Sequence, residues 1–163
     1  MTRFIMPYEL SKFWLQQVLA GNPTAFETEV LGYGYIPLAH SARCFTAKHH
    51  QKPKLDCQII CQQYPRGILT QTQESQPLLR LNGIQTQSAA KINLINQMSA
   101  MSAMGVSYFR ISPSGLEDIA LIEHISNAQM AEQSNLSLEG NIKDCNGYWH
   151  AEPGMNLNLN TIT

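Results

Sequence analysis

The sequence lacks a charge excess of either sign. Its 163 residues include eleven Lys and Arg against twelve Asp and Glu, so the formal net charge is −1, and the basic residues are scattered rather than clustered. Proteins that bind DNA or RNA carry a basic patch or stripe that acts as an electrostatic footprint. We therefore do not expect nucleic acid as a partner.

The chain also lacks a long apolar run. Its apolar stretches fall well short of the roughly 20 residues that cross a bilayer. Its first residues include Arg3, Pro7 and Glu9, which do not form a signal-peptide pattern. We expect no transmembrane segment and a location in the cytoplasm, and the length is that of one compact domain.

Cysteine is scarce, with four in the whole chain. Small disulfide-bonded proteins are much denser in cysteine, and the cytosol keeps thiols reduced, so a disulfide framework is not expected. The G-x-S-x-G elbow of serine hydrolases and the H-E-x-x-H helix of zinc proteases are both missing from the sequence. Metal binding, or burial as a small apolar side chain, is left for each cysteine.

The first part of the chain alternates between strand-like and helix-like segments. Residues 3–6 predict a strand, and apolar residues at helical spacing predict a helix that stops at Gly21. Residues 26–31 alternate as a strand, which Gly32, Tyr33 and Gly34 close before a turn at Pro37.

The same alternation continues beyond a polar segment at residues 40–64. Residues 67–73 and Pro77–Asn82 predict paired strands, and Ser88 predicts the cap of a helix that carries Met98 and Met101 and ends at Gly105. Residues 106–111 predict a strand. The segment Ser114-Gly115-Leu116-Glu117 predicts a capping box that opens another helix.

This order of elements favours an α/β fold with parallel strands. We expect an α/β unit at residues 1–132 with a cysteine loop at 40–64 inserted in it. From residue 133 to 163 the composition turns to Asn, Ser, Gly and Pro, which predicts an irregular C-terminal tail.

Three of the cysteines fall within the polar segment. Twelve residues separate Cys44 from Cys57, and three separate Cys57 from Cys61. Residues four apart share one face of a helical turn, so the sulfur atoms of Cys57 and Cys61 can face one centre. Structural zinc sites favour tighter C-x2-C pairs, whereas iron-sulfur clusters accept longer and irregular spacings. The spacing favours a cluster and leaves zinc open.

Several other residues are candidates for the same site. Cations lower the pKa of thiols and stabilise thiolate-ligated centres, and four lie nearby: Arg43, Lys48, Lys52 and Lys54. Candidates for a fourth ligand are His40, His49, His50 and Cys145. Aromatic side chains near the loop either line a pocket or pack in the core; these are Tyr33, Tyr35, Phe45 and Tyr64.

Polar residues outside the loop are further candidates. Gln85, Gln87 and Arg110 fall at predicted strand ends, where parallel α/β folds collect their ligand-binding groups, and we treat them as possible substrate contacts. Glu9 and Glu29 are candidate catalytic carboxylates, with a structural ion pair as the alternative for each.

Two stretches around the cysteines, PLAHSARCFTAK at 37–48 and KLDCQIIC at 54–61, resemble the UbiV (YhbV) branch of the U32 "peptidase" family. The resemblance extends over most of the chain through four further segments: PYELS at 7–11, LNGIQTQS at 81–88, FRISP at 109–113 and NGYW at 146–149. A complete barrel of this type needs on the order of 250 residues. By this resemblance the chain corresponds to the C-terminal half of such a protein.

The resemblance implies a partial TIM-barrel-like (β/α) fold and a 4Fe-4S cluster. Three cluster ligands of the branch match Cys44, Cys57 and Cys61, and the fourth comes from a region near the start of the full-length protein, which this sequence does not contain. Proteins of the branch pair with the paralogue UbiU in oxygen-independent hydroxylation of ubiquinone precursors. Other branches act on collagen or on RNA bases. A zinc-binding module and an inactive fragment are the further alternatives.

Overall fold

A computed structural model of the protein describes residues 2–21, 26–53, 56–130 and 144–158. In these ranges the strands are β1 (Arg3–Ile5), β2 (Glu27–His40), β3 (Ile68–Gln71), β4 (Pro77–Asn82), β5 (Gln85–Asn93), β6 (Tyr108–Ile111) and β7 (Asp144–Cys145). The α-helices are α1 (Lys12–Ala20), α2 (Phe45–His49), α3 (Met98–Met104) and α4 (Glu117–Met130). Short 3-10 helices lie at Ile60–Gln63, Ile95–Gln97 and Gly147–His150.

The strands of the described residues form one mixed sheet of seven. Its order is β1-β2-β5-β4-β3, with β6 paired to β2 and β7 paired to β5. β1 and β6 run parallel to β2, whereas β4 runs antiparallel to both β3 and β5. The predicted α/β class is confirmed. Pairing in the described part of the chain shows no closed barrel, so the partial TIM-barrel-like fold stays a prediction.

The chain divides into two compact units. Unit 1 comprises Met1–Gly34 and Lys91–Thr163, and unit 2 comprises Tyr35–Ala90. In unit 1 strands and helices alternate along the chain. Helix α1 connects β1 to β2, and β6 lies between α3 and α4. Its core holds Leu15, Val30, Met101 and Trp149, each at most 3% exposed.

Unit 2 contains β3, β4, α2 and the Ile60–Gln63 helix, together with the later part of β2 and most of β5. Helix α2 packs on β4. Thr46 of α2 is fully buried, and its hydroxyl accepts a hydrogen bond of 3.3 Å from the Gly83 amide. The Gly83 carbonyl in turn accepts from the Phe45 amide at 2.8 Å. The β4–β5 turn therefore anchors the first residues of α2.

The prediction that the second strand ends at Gly32 is wrong. β2 continues through Gly34 and Pro37 to His40. Gly32 does not break the strand because the Phe109 ring packs where its side chain would lie, and because its carbonyl accepts from the Leu94 amide at 2.8 Å. Glycine inside a strand often marks such a close approach.

The prediction that Ser88 caps a helix is also wrong. Residues 85–88 pair with β4 as the first half of β5. The Ser88 hydroxyl accepts from the Ile36 amide at 2.9 Å and donates to the Ala90 carbonyl at 2.6 Å. The helix begins only at Met98, and it ends at Gly105 in the left-handed conformation (φ 92°), as expected for a C-terminal glycine. Strand pairing overrode the local capping signal.

The other predicted elements are confirmed, with small shifts at their ends. They are β1, α1, β3, β4, β6 and α4. At the start of α4 the Ser114 amide donates a hydrogen bond of 2.6 Å to the Asp118 carboxylate. The capping-box pattern predicted Glu117 as the acceptor, one residue earlier. Leu116 and Ile119 are exposed, whereas Ile125 is buried.

The predicted C-terminal tail is described from residue 144 to 158. Trp149 is 2% exposed there, and its indole donates to Gln97 Oε1 at 3.1 Å. Residues 133–143 lie outside the described residues, and the division at residue 132 stays a prediction. Among the helices that the structure describes, none has both the length and the apolar character needed to cross a bilayer.

We predict that Gly32→Ala destabilises unit 1 by about 1–3 kcal/mol, because the new methyl group would overlap the Phe109 ring and force repacking. Urea unfolding measures the change. Gly21→Ala is the matched control, since its backbone lies at φ −87° and its nearest neighbour would be 3.4 Å away. Equal stability of the two variants would contradict this account of Gly32.

Candidate cysteine site

Cys44 lies at the start of α2 in unit 2. It is the N-cap residue, and its Sγ accepts a hydrogen bond of 3.4 Å from the Ala47 amide. The residue is half-buried and its thiol is free. The hydrogen bond orients the sulfur atom toward the first turn of the helix.

Cys57 and Cys61 lie on either side of a tight turn. The Cys57 carbonyl accepts from the Ile60 amide at 3.1 Å, and Cys61 lies in the Ile60–Gln63 helix. Gln58 and Ile59 between them have left-handed backbones, with φ of 50° and 51°. This conformation is costly for a β-branched residue such as Ile59. The helical turn expected between the two cysteines is therefore not formed: a left-handed turn follows Cys57, and the 3-10 helix begins only at Ile60.

The two cysteine-bearing elements contact each other. His50 follows α2 directly, Tyr64 follows the Ile60–Gln63 helix directly, and His50 Nε2 lies 2.8 Å from the Tyr64 hydroxyl. The two rings are tilted, with centroids 5.4 Å apart. A side-chain hydrogen bond thus joins the element that begins at Cys44 to the element that contains Cys61.

The described residues include no group of three His, Cys, Asp or Glu side chains placed to hold a metal ion. All four thiols are free, and Cys44, Cys57 and Cys61 are half-buried. The donor set has the chemistry of a soft metal or iron-sulfur site, since it comprises three half-buried thiols in one segment of the chain. Cys44 caps α2, Cys61 lies in the 3-10 helix that contacts α2, and Cys57 precedes the turn before that helix. The sulfur atoms are not gathered into a complete three-ligand set in this conformation.

The neighbouring candidates differ in exposure. Arg43, Lys48, His40 and His49 are exposed, whereas His50 is half-buried against Tyr64. Lys54 lies outside the described residues. Of the aromatic candidates, Tyr35 lies under the Arg80 guanidinium, 4.5 Å from ring centroid to Cζ.

Cys145 has a different environment from the loop cysteines. It lies in β7 of unit 1, opposite Ile92, and is 2% exposed. Burial raises the pKa of its thiol to about 11, and the Asp144 carboxylate contributes in the same direction. A buried thiol of this kind is a poor nucleophile and a poor metal ligand.

The predicted substrate contacts fall in both units. Gln85 and Gln87 lie on β5 in unit 2 and are hydrogen-bonded to each other at 2.8 Å. Arg110 lies on β6 in unit 1, where it pairs with Glu29 at 3.2 Å and donates to the Tyr8 hydroxyl at 3.2 Å.

Glu29 is the more buried of the two candidate carboxylates. It is 9% exposed and lies between two guanidinium groups, because Arg3 also approaches it to 3.4 Å. These contacts match the structural alternative, an acid satisfied by ion pairs. Glu9 is exposed.

Unit 1 also contains a polar cluster that the sequence did not predict. Lys91 Nζ lies 2.8 Å from Asp118 Oδ1 and 3.5 Å from the Tyr33 hydroxyl, and Asp118 Oδ2 accepts from the Ser114 amide and hydroxyl at 2.6 and 2.9 Å. The Asp118 side chain is 2% exposed and that of Lys91 14%. The only sequence signal was the position of Asp118 beside the predicted capping box.

Lys91 and Asp118 each stabilise the charged form of the other. Burial opposes ionisation of Asp118, but hydrogen bonds from Lys91 and Ser114 outweigh it and hold the pKa of that carboxyl below its usual value. Burial likewise opposes the charge of Lys91, and the Asp118 carboxylate raises the pKa of Lys91 above its usual value. The half-buried Tyr33 phenol has a raised pKa, chiefly because burial disfavours its anion.

Unit 1 contains a small, partly open pocket lined mainly by apolar side chains, among them Leu31, Ile92 and Trp149, with Tyr8 at its wall. Its volume is about 10 Å³. That is the space of a single water molecule and far less than an aromatic ring requires.

The family model for peptidase family U32 matches residues 1–118, which is more than half of the chain. The chain belongs to peptidase family U32. The match includes all three loop cysteines and the three candidate substrate contacts of this U32 protein, and it ends before Cys145. No solved structure gives a significant match.

We predict that the thiols of this U32 chain fall into two reactivity classes. Cys44, Cys57 and Cys61 should react with a maleimide in the native protein at pH 8, because they are half-exposed. Cys145 should react only after unfolding, because it is buried and its pKa is about 11. Mass spectrometry of labelled peptides gives the rates. Native labelling of Cys145 as fast as that of Cys44 would contradict the burial.

We predict that Asp118→Asn destabilises unit 1 by about 3 kcal/mol at pH 7, because it leaves the Lys91 ammonium without its buried counter-charge. The pKa of Asp118 is lowered on folding. Its contribution is therefore full above the unfolded pKa and is lost as pH falls through the native one. The free energy of unfolding, measured with denaturant at pH values from neutral down through the native pKa of Asp118, should depend less on pH in Asp118→Asn than in the parent protein. The exposed Asp56→Asn is the control.

Proposed function

We propose that this U32 chain is an iron-sulfur protein of the UbiV type, in which Cys44, Cys57 and Cys61 bind a 4Fe-4S cluster. It would act with a UbiU-type partner in the cytoplasm in oxygen-independent hydroxylation of a ubiquinone precursor. The observation that carries the proposal is the presence of three half-buried, free thiols in one segment of unit 2, where Cys44 caps α2 and Cys61 lies in the 3-10 helix that contacts α2. Their spacing and the resemblance of the surrounding residues to the UbiV branch support the cluster over zinc.

Each cysteine has a distinct local function in this proposal. Cys44 is oriented by the Ala47 amide, whose N–H already donates a hydrogen bond to its sulfur atom. Cys57 and Cys61 lie on either side of the left-handed turn at Gln58 and Ile59, and the proposal expects both sulfur atoms to face the cluster when it binds. The fourth ligand is proposed to come from outside this sequence. When bound, the cluster would supply electrons to the reaction, or an open iron position if the fourth ligand were displaced.

The proposal includes a rearrangement of the cysteine segment when the cluster binds. The described residues hold no group of three ligands placed for a metal ion, so the sulfur atoms are not yet arranged around one centre. The left-handed Gln58 and Ile59 beside Cys57 make this turn a reservoir of backbone strain, of order 1–3 kcal/mol per residue. Release of that strain would favour a rearrangement of the turn beside Cys57.

We predict that the protein, co-expressed with a UbiU-type partner and purified without oxygen, contains about four iron and four labile sulfide per chain, as a 4Fe-4S cluster requires. Elemental analysis and the visible absorption spectrum measure this. Replacement of Cys44, Cys57 and Cys61 by Ser should abolish both iron and sulfide. Cys145→Ser is the matched control and should keep them, because Cys145 is buried in unit 1.

Other outcomes of the same experiment would assign a different function. One zinc ion per chain, without iron or sulfide, would replace the proposal with a zinc-binding module. Absence of any metal from both the parent protein and the Cys145→Ser variant would indicate an inactive fragment. Peptide cleavage that survives the triple replacement would favour a hydrolase.

A further inference from the structure

The hydrogen bond between His50 and Tyr64 connects the two cysteine-bearing elements of unit 2. His50 is the C-cap residue of α2, six positions after Cys44. Tyr64 is the C-cap residue of the Ile60–Gln63 helix, three positions after Cys61. The Nε2 to hydroxyl distance is 2.8 Å, and the His49 ring packs edge-on against His50 with centroids 5.0 Å apart.

Neither element is stable by itself. Helix α2 has five residues and the 3-10 helix has four, both far below the length at which an isolated helix persists in water. Gln51, Gln58 and Ile59 in the chain between them have left-handed backbones, which are unfavourable for residues with a side chain, so local backbone preference does not favour the geometry that these residues adopt. The separation of the two elements therefore depends on side-chain contacts between them.

We propose that His50 and Tyr64 are a positioning pair for the cysteine site, which holds the Cys44 and Cys61 segments within reach of each other. The inference rests on the proposed function for its purpose, but the positional effect belongs to the protein without metal. Neither side chain needs to be a ligand. Partners that orient ligands from outside a metal site typically change metal affinity about 10- to 100-fold when they are removed.

The effect of the hydrogen bond between His50 and Tyr64 can be measured separately from the packing of their rings. Tyr64→Phe removes only the hydroxyl group and keeps the ring against His50. His50→Gln keeps a hydrogen-bonding nitrogen or oxygen near the position of Nε2, whereas His50→Ala removes it. Tyr108→Phe is the matched control, because it removes a phenol that donates to Glu27 at 3.0 Å in unit 1.

The test measures how fast a bismaleimide with a span of about 10 Å, the usual distance between packed helices, bridges Cys44 and Cys61. All variants carry Cys57→Ser so that only this pair of accessible thiols can be bridged, and no metal is present. We expect Tyr64→Phe and His50→Ala to slow bridging about 3- to 10-fold, as loss of one hydrogen bond implies. Tyr108→Phe and His50→Gln should bridge at close to the parent rate.

Single-site labelling of each thiol, measured with a monofunctional maleimide, separates proximity from exposure. A loss of bridging with unchanged single-site rates supports the positioning pair. Equal bridging in the parent and Tyr64→Phe would overturn it, and so would a parent protein that gives no bridged product.

Metal content then separates this inference from the proposed function. In the chain with Cys57 restored, Tyr64→Phe should hold less iron and labile sulfide than Tyr108→Phe after the same anaerobic purification. A parent protein without iron, combined with slowed bridging in Tyr64→Phe, would end the proposed function and leave the positional effect intact. Equal iron in Tyr64→Phe and Tyr108→Phe would overturn the role of the pair in cluster binding.

Discussion

The start of β2 is the part of unit 1 on which the other elements depend. Residues 27–29 have β1 on one side, and residues 29–31 have β6 on the other. A buried strand must satisfy its backbone polar groups within the protein, and pairing along both edges does this for β2. The side chain of Glu29 is likewise contacted from both sides, because its carboxylate pairs with Arg3 of β1 and with Arg110 of β6. The buried charge is therefore compensated from the same two neighbouring strands.

Unit 2 is organised in another way. Its sheet supplies the fixed part, through the pairing of β4 with β3 and β5, and the turn at Gly83 anchors α2. The cysteine segment is attached to that support by short helices, tight turns and single hydrogen bonds. Segments of this kind open more easily than paired strands, which is compatible with the rearrangement that the proposed cluster site would need. The contrast with Cys145, which is buried beside paired strands, separates a structural thiol from three available ones.

Membership of peptidase family U32 is shown for this chain, and the family label does not identify its chemistry. Function follows from the residues of a site more than from the fold that carries them. The strongest chemical feature on the described surface is the set of three thiols in unit 2. The polar cluster of Lys91, Asp118 and Ser114 has the geometry of a structural ion pair, because each polar group is turned toward another and the carboxylate is buried.

Local patterns were enough to find most of the elements and all three loop cysteines. Helical spacing predicted α1, β-branched and aromatic residues predicted β6, and Gly105 marked the end of α3, because each of these signals arises from neighbouring residues in the chain. Long-range pairing decided what such signals could not: β2 runs through Gly32 and Pro37, and Ser88 lies in a strand instead of capping a helix. The contact between His50 and Tyr64 and the pairing of Lys91 with Asp118 also required the folded chain. Residues 14 and 27 positions apart meet there through packing, which no local periodicity encodes.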